Sequence, residues 1–296
     1  MAAWQGKTRG GTLGYRIFIF TLQKLGLSPA YFLLRFVAAY YFLFSRTSSK
    51  HIYHYFHSVL GYAPLRARLA VYRNYYLFGQ VLIDKVAILS GLKDKFSFEI
   101  GDEENLRNMT EGGLIISAHI GNWEMAPRLS DRIDRVFNVL MLDAEHQKIK
   151  EMLEAVMTER RMRVIPIKDD LSHLILIRQA LSDRELIAMH GDRFMEGMKT
   201  LRATFLGRKA LFPEGPFYLA ARFNVPVSFA FVMKNGPRSY RFFASEARKY
   251  SIPKGKRISE EDFRPILEDY TGELQKILRI YPEQWFNYYG FWETEN

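Results

Sequence analysis

From residue 96 onward, short runs rich in β-branched and aromatic residues alternate with stretches of helical periodicity. That alternation is what most limits the fold. FSFEI (96–100), GLIISAHI (113–120), FNVLML (137–142), RVIPI (163–167), ELIAMH (185–190), VPVSFAFV (225–232) and YRFFASEA (240–247) read as strands. Helical patterns fall between them, at about 145–161, 170–182, 215–223 and 259–280, the last opened by Ser259, Glu260 and Glu261. A chain that alternates in this way builds a mixed, mostly parallel sheet flanked by helices, the α/β class. GLIISAHI is apolar almost throughout, as a strand buried on both faces must be.

The first 95 residues follow a different rule, and the expected division is a helical membrane-associating segment (1–95) and an α/β domain (96–296). Residues 1–95 contain thirteen Lys and Arg against Asp84 and Asp94, and they hold 19 of the 44 aromatics. Cations with aromatics suit either a nucleic-acid groove or an anionic membrane surface. The run AYFLLRFVAAYYFLF (30–44), with Arg35 its only charge, favours the membrane and argues against nucleic acid. Fifteen helical residues cover about 22 Å, less than a hydrocarbon core of about 30 Å. The expectation is two helices, about 14–25 and 29–45, that lie in or dip into one leaflet, with a single tilted span as the alternative. His51, His54 and His57 drift around the next helix and read as an aromatic–histidine face rather than a metal site. LRARLAVYRNYYLFGQVLIDKVAIL (65–89) reads as a long amphipathic helix.

The chain has no cysteine, so disulfides, thiolate metal sites and cysteine nucleophiles are excluded. No dinucleotide or phosphate-loop fingerprint, no Gly-x-Ser-x-Gly elbow and no convincing metal constellation occurs. The chemistry concentrates in SAHIGNWE (117–124), where a buried strand ends in His119 and an acid, Glu124, follows five residues later. On one continuous helix those positions lie about 140° apart and would not meet. A turn at Gly121–Asn122 lets Glu124 fold back to orient the imidazole, which then serves as a general base. The plain alternative is a strand-end histidine bonded to backbone beside a solvated Glu124.

SAHIGNWE resembles the signature of the lauroyl/myristoyl acyltransferases of lipid A biosynthesis, within the lysophospholipid acyltransferase superfamily, whose motif is His, four residues, then Asp or Glu. Three further stretches resemble that family in order: LIAMHGDRF (186–194), FLGRKALFPEGPFYLAARFNVPV (205–227) and YPEQWFNYYGFW (281–292). The resemblance covers nearly the whole chain. It implies a glycerolphosphate acyltransferase-like fold and transfer of a fatty acyl group from an acyl thioester to a lipid hydroxyl, with His119 and Glu124 as the catalytic pair and neither metal nor cofactor. It implies acyl carrier protein as donor, with coenzyme A as the alternative, a lipid A-type acceptor, and a place on the cytoplasmic face of a bacterial inner membrane.

Asp192 would hold substrate or a loop. Arg193 is an oxyanion-donor candidate or a partner for Asp192 or Glu196. Arg160 or Arg161, in ERRMR (159–163), matches a family arginine that could contact an anionic headgroup or a phosphopantetheine phosphate; the plain alternative is a solvated helix end. Asn122 belongs to the turn, and Gly215 opens a helix start that could accept phosphate or carboxylate. Two departures bear on the acceptor. Asn287, Tyr288 and Tyr289 stand where the family's tryptophan block usually continues into a His-Arg pair, and Arg193 stands where a glutamine is usual. Rival readings are an acyltransferase for an amino-lipid, glycerolipid or polyene acceptor, and a non-catalytic lipid binder that kept the fold.

Overall fold

The computed structural model describes residues 20–293 apart from 23, 90–91, 126–132, 134, 143–161, 169, 171, 251 and 254–256. Its centre is a mixed sheet with strand order β1-β9-β8-β2-β5-β3-β4. The strands are β1 (Ser97–Ile100), β2 (Gly113–Ser117), β3 (Phe137–Leu142), β4 (Met162–Ile167), β5 (Leu186–His190), β8 (Pro226–Lys234) and β9 (Ser239–Ala244). All neighbours run parallel except β8 and β9, and the short β10 (Arg248–Lys249) pairs antiparallel to β8. The α/β reading of the sequence therefore holds, and each of the seven strand runs forms a strand.

β2 occupies the middle of the sheet and is covered on both faces. Leu114 and Ile116 belong to one buried cluster and Ile115 to the other, as alternation along a strand requires. The strand ends at Ser117, three residues before its apolar run does. Ser117 O accepts from Gly191 N–H and from the Tyr270 hydroxyl, and Ile120 bridges to Trp285 outside the sheet. New partners for the backbone draw the chain off the sheet just before His119.

The hairpin of β6 (Thr200–Phe205) and β7 (Arg208–Pro213) was not expected from the sequence. Its two-residue turn places Leu206 at φ 52° and Gly207 at φ 79°. Such turns usually advertise themselves with Asn-Gly or Asp-Gly, and a leucine in the left-handed region hides the signal.

Helices cover the sheet. α1 (Leu27–Phe44), α2 (Arg46–His54) and α3 (Pro64–Leu89) come from the basic segment, and a π-helical turn spans Tyr55–Val59. α4 (Glu103–Arg107), α5 (Ser172–Ser182), α6 (Gly215–Phe223) and α7 (Glu260–Ile280) come from the rest. The start of α7 at Ser259 is a full capping box with Asp262. The helices expected at 14–25 and 145–161 fall largely or wholly outside the described residues. His54 and His57 pack against Trp292 and Tyr53, and no group of metal-ligating side chains gathers among the described residues.

One polar knot lies deep in this structure. The Lys234 ammonium of β8 donates to Asp84 of α3 at 2.5 Å, with 2% and 0% of the side chains exposed. Tyr31 of α1 and Tyr240 of β9 donate to the same carboxylate. Burial lowers the Lys234 pKa and raises that of Asp84, while their mutual attraction opposes both shifts. The first helices are thereby tied to the carboxyl-terminal end of the central strands.

Candidate active site

Register builds the site. β2 and β5 pair in parallel with Ser117 opposite His190. Parallel strands end together, so the residues just past each strand, His119 and Asp192, emerge side by side at the carboxyl edge, where ligands bind in open α/β sheets. Asp192 is 1% exposed and grips the histidine twice. Its Oδ2 accepts from the His119 backbone N–H at 3.0 Å, and its Oδ1 lies 2.8 Å from Nδ1.

Burial alone would push the Asp192 carboxyl up. The charge and hydrogen bond of His119, with Arg193 adding, outweigh it and hold the carboxyl well below the usual range. An ionised carboxylate only accepts hydrogen bonds, so Nδ1 carries the proton and the lone pair of the neutral ring sits on Nε2.

Nε2 faces a second imidazole. His190 Nδ1 lies 3.2 Å from it, the two ring centres are 4.1 Å apart, and the Trp123 ring meets His190 edge-on at 5.0 Å. Burial, then the neighbouring His119, lowers the His190 pKa well below the ordinary value. His190 lies within LIAMHGDRF (186–194) and belongs to no expected catalytic pair. The available signal was its place, the last residue of an apolar strand and two before Asp192.

The turn that carries His119 is braced from beneath. Gly121 sits at φ 57°, and a Cβ there would fall 2.0 Å from Val232 O, so only glycine fits. Gly121 N–H donates to Gln284 O, Asn122 N–H to Val232 O, and Phe286 N–H to His119 O. Gln284 itself bonds both backbone groups of Lys234. The proline–glutamine–tryptophan block (281–292) thus clamps the His119 turn to β8, and Asn74 of α3 holds that block through the carbonyls of Glu283 and Trp285.

The model of the bacterial lipid A biosynthesis acyltransferases matches residues 8–293. The chain belongs to that family. It is accordingly an acyltransferase. No curated protein matches the chain. Among solved structures, the 1-acyl-sn-glycerophosphate (LPA) acyltransferase PlsC from Thermotoga maritima is similar at 17% identity and TM-score 0.40, covering 83% of this chain and 97% of that one.

Glu124 lies on the 3-10 turn Trp123–Met125, and its side chain is outside the described residues, as are Arg160 and Arg161. Asn122 is 1% exposed, and its amide turns inward to donate to the Tyr240 hydroxyl at 3.2 Å. Arg193 donates to Phe286 O at 2.7 Å, which joins the β5 turn to the tryptophan block. Tyr289 follows suit, its hydroxyl reaching Asp192 O at 3.4 Å. Gly215 opens α6 after Glu214, with open space beside its Cα.

Proposed function

We propose that the chain moves a fatty acyl group from an acyl thioester, carried by acyl carrier protein, onto a hydroxyl of a membrane lipid of the lipid A type. The carrying observation is the paired contact of Asp192 with His119, which leaves Nε2 as the basic atom at the edge of the sheet. Nε2 takes the hydroxyl proton as the oxygen attacks the thioester carbon. The C–S bond then breaks, and the proton passes to the departing thiolate. No enzyme nucleophile takes part.

In this scheme Asp192 fixes the tautomer, and Glu124, five residues beyond the histidine, supplies negative charge that stabilises the imidazolium. Arg193 would assist at the oxyanion, and Arg160 or Arg161 would meet an anionic headgroup or the carrier's phosphate. Asn122 and Gly215 would shape the turn and the helix start near substrate. An acidic carrier protein suits the net charge of +10. The substitutions at Asn287–Tyr289 and Arg193 lend support to a second reading, an acceptor other than lipid A.

The proposed setting is the cytoplasmic face of a bacterial inner membrane. α1 is long and apolar enough to be a candidate span. Its two faces support a flat position instead. Phe32, Phe36, Tyr40, Leu43 and Phe44 are exposed, whereas Leu27, Ala30, Tyr31, Leu34 and Ala38 are buried. A helix held by the protein along one side and bare along the other is suited to lie in the interface, with Arg35 at headgroup level. A cavity of about 610 Å³ opens beneath it, lined by Arg35, Tyr76, Gln80 and Lys234 among others.

The test is mass spectrometry of total bacterial lipid incubated with C12–C16 acyl carrier protein and either the natural chain or His119→Ala. An acylated lipid formed only by the natural chain establishes the reaction and names the acceptor. Equal product from folded His119→Ala removes the histidine from the chemistry.

A further inference from the structure

The proposed base is not alone at its working atom. Nε2 of His119 lies 3.2 Å from Nδ1 of His190, with the ring centres 4.1 Å apart and the ring planes inclined at 60°. Two neutral imidazoles at this distance need one N–H between them. His119 has committed its proton to Nδ1, where Asp192 accepts it, so the shared N–H belongs to His190.

We infer that His190 is a positioning residue for the proton transfer: its Nδ1–H donates to Nε2 of His119, aims the imidazole, and favours the neutral, base-competent form until the acceptor hydroxyl takes its place. This inference rests on His119 being the general base.

The surroundings agree. Among the described residues, the charged groups that act on His190 besides His119 are Asp192 and Arg193, and the Trp123 ring meets it at 84°. Burial keeps His190 uncharged, so it has a single ring proton to place. Protonating Nε2 destroys the contact unless His190 changes tautomer, so the bond is present with the neutral base and weakens with the imidazolium.

The sign follows. Removing the donor makes His119 easier to protonate, and the acidic limb of kcat/KM moves to higher pH. A net hydrogen bond of ordinary strength corresponds to about half to one pH unit. His190→Leu removes the donor. His190→Asn keeps an N–H close to the position of Nδ1. We expect the limb to rise in the leucine variant and to return near its original place in the asparagine variant, which a purely structural role would not produce.

A limb that stays put in an active His190→Leu overturns the inference. Nitrogen-15 NMR of histidine-labelled full-length protein in micelles provides a readout that needs no acyl transfer. It should show His190 protonated on Nδ1, with His119 titrating at higher pH in His190→Leu. His190 protonated on Nε2 in the natural chain overturns the inference even where the leucine variant fails to fold. If the natural chain transfers no acyl group at all, the proposed function fails while the NMR result still judges the histidine pair.

Discussion

Asp192→Asn separates the geometry of the site from its electrostatics. The carboxylate accepts from both the backbone N–H and Nδ1 of His119. An asparagine can keep only one of these as it stands. If its oxygen faces the backbone N–H, its amide N–H₂ faces Nδ1 and favours the tautomer with the proton on Nε2. The lone pair then points into the protein and the base is lost. In a serine protease triad the equivalent change lowers kcat by about 10⁴. Here we expect roughly 10³–10⁴ in kcat, with KM for the thioester nearly unchanged. Stability should fall by about 1.5–3 kcal/mol, the usual worth of a hydrogen bond to a charged group. The pH dependence has a definite sign. A carboxyl held below its unfolded value of about 3.9 stabilises the protein above that pH, and loses the contribution only as pH falls through the lower folded value. The loss of stability in the variant should therefore shrink as pH falls below about 4. Single-turnover acyl transfer and urea unfolding across pH measure both quantities. Full activity in folded Asp192→Asn would refute the tautomer argument and leave orientation of the histidine to another group.

Two perturbations test the rest of the structure. Lys234→Met strands the Asp84 carboxylate in a site with no exposed side-chain surface and should destabilise the fold by about 3 kcal/mol. An unpaired Asp84 can neutralise itself by taking a proton, so the loss should be larger at pH 8 than at pH 5, as read by chemical denaturation. Phe32→Ser with Phe36→Ser leaves the buried face of α1 intact and should weaken sedimentation with anionic liposomes at least ten-fold without changing the unfolding midpoint. Unchanged sedimentation would place the membrane contact elsewhere.

The fold was legible where local chemistry and tertiary context agree. The near-continuous apolar run of β2 suits a buried strand, and Ser259 followed by Glu260 and Glu261 marks the start of α7 before any packing is known. The β6–β7 turn was illegible because Leu206 occupies a backbone region that its side chain disfavours, and packing around the hairpin overrides the preference. The site divides in the same way. His119 could be read from its own strand, since the end of a buried strand is where a parallel sheet presents chemistry. Its engagement by Asp192 and His190 depends on which strand lies beside β2 and in what register, and neither is written within SAHIGNWE. Once Ser117 is set opposite His190, the positions two beyond His190 and two beyond Ser117 must face each other, and Asp192 meets His119 with no further assumption. The same reasoning explains the role of the tryptophan block at 281–292. A turn that leaves the sheet early needs hydrogen-bond partners from elsewhere: Gln284 O accepts from Gly121 N–H and Phe286 N–H donates to His119 O, the two bonds that set Trp285 opposite Ile120. The similarity at the C-terminal block and the similarity at the histidine motif are therefore two sides of one structure, the first holding the second in place at the carboxyl edge of the sheet.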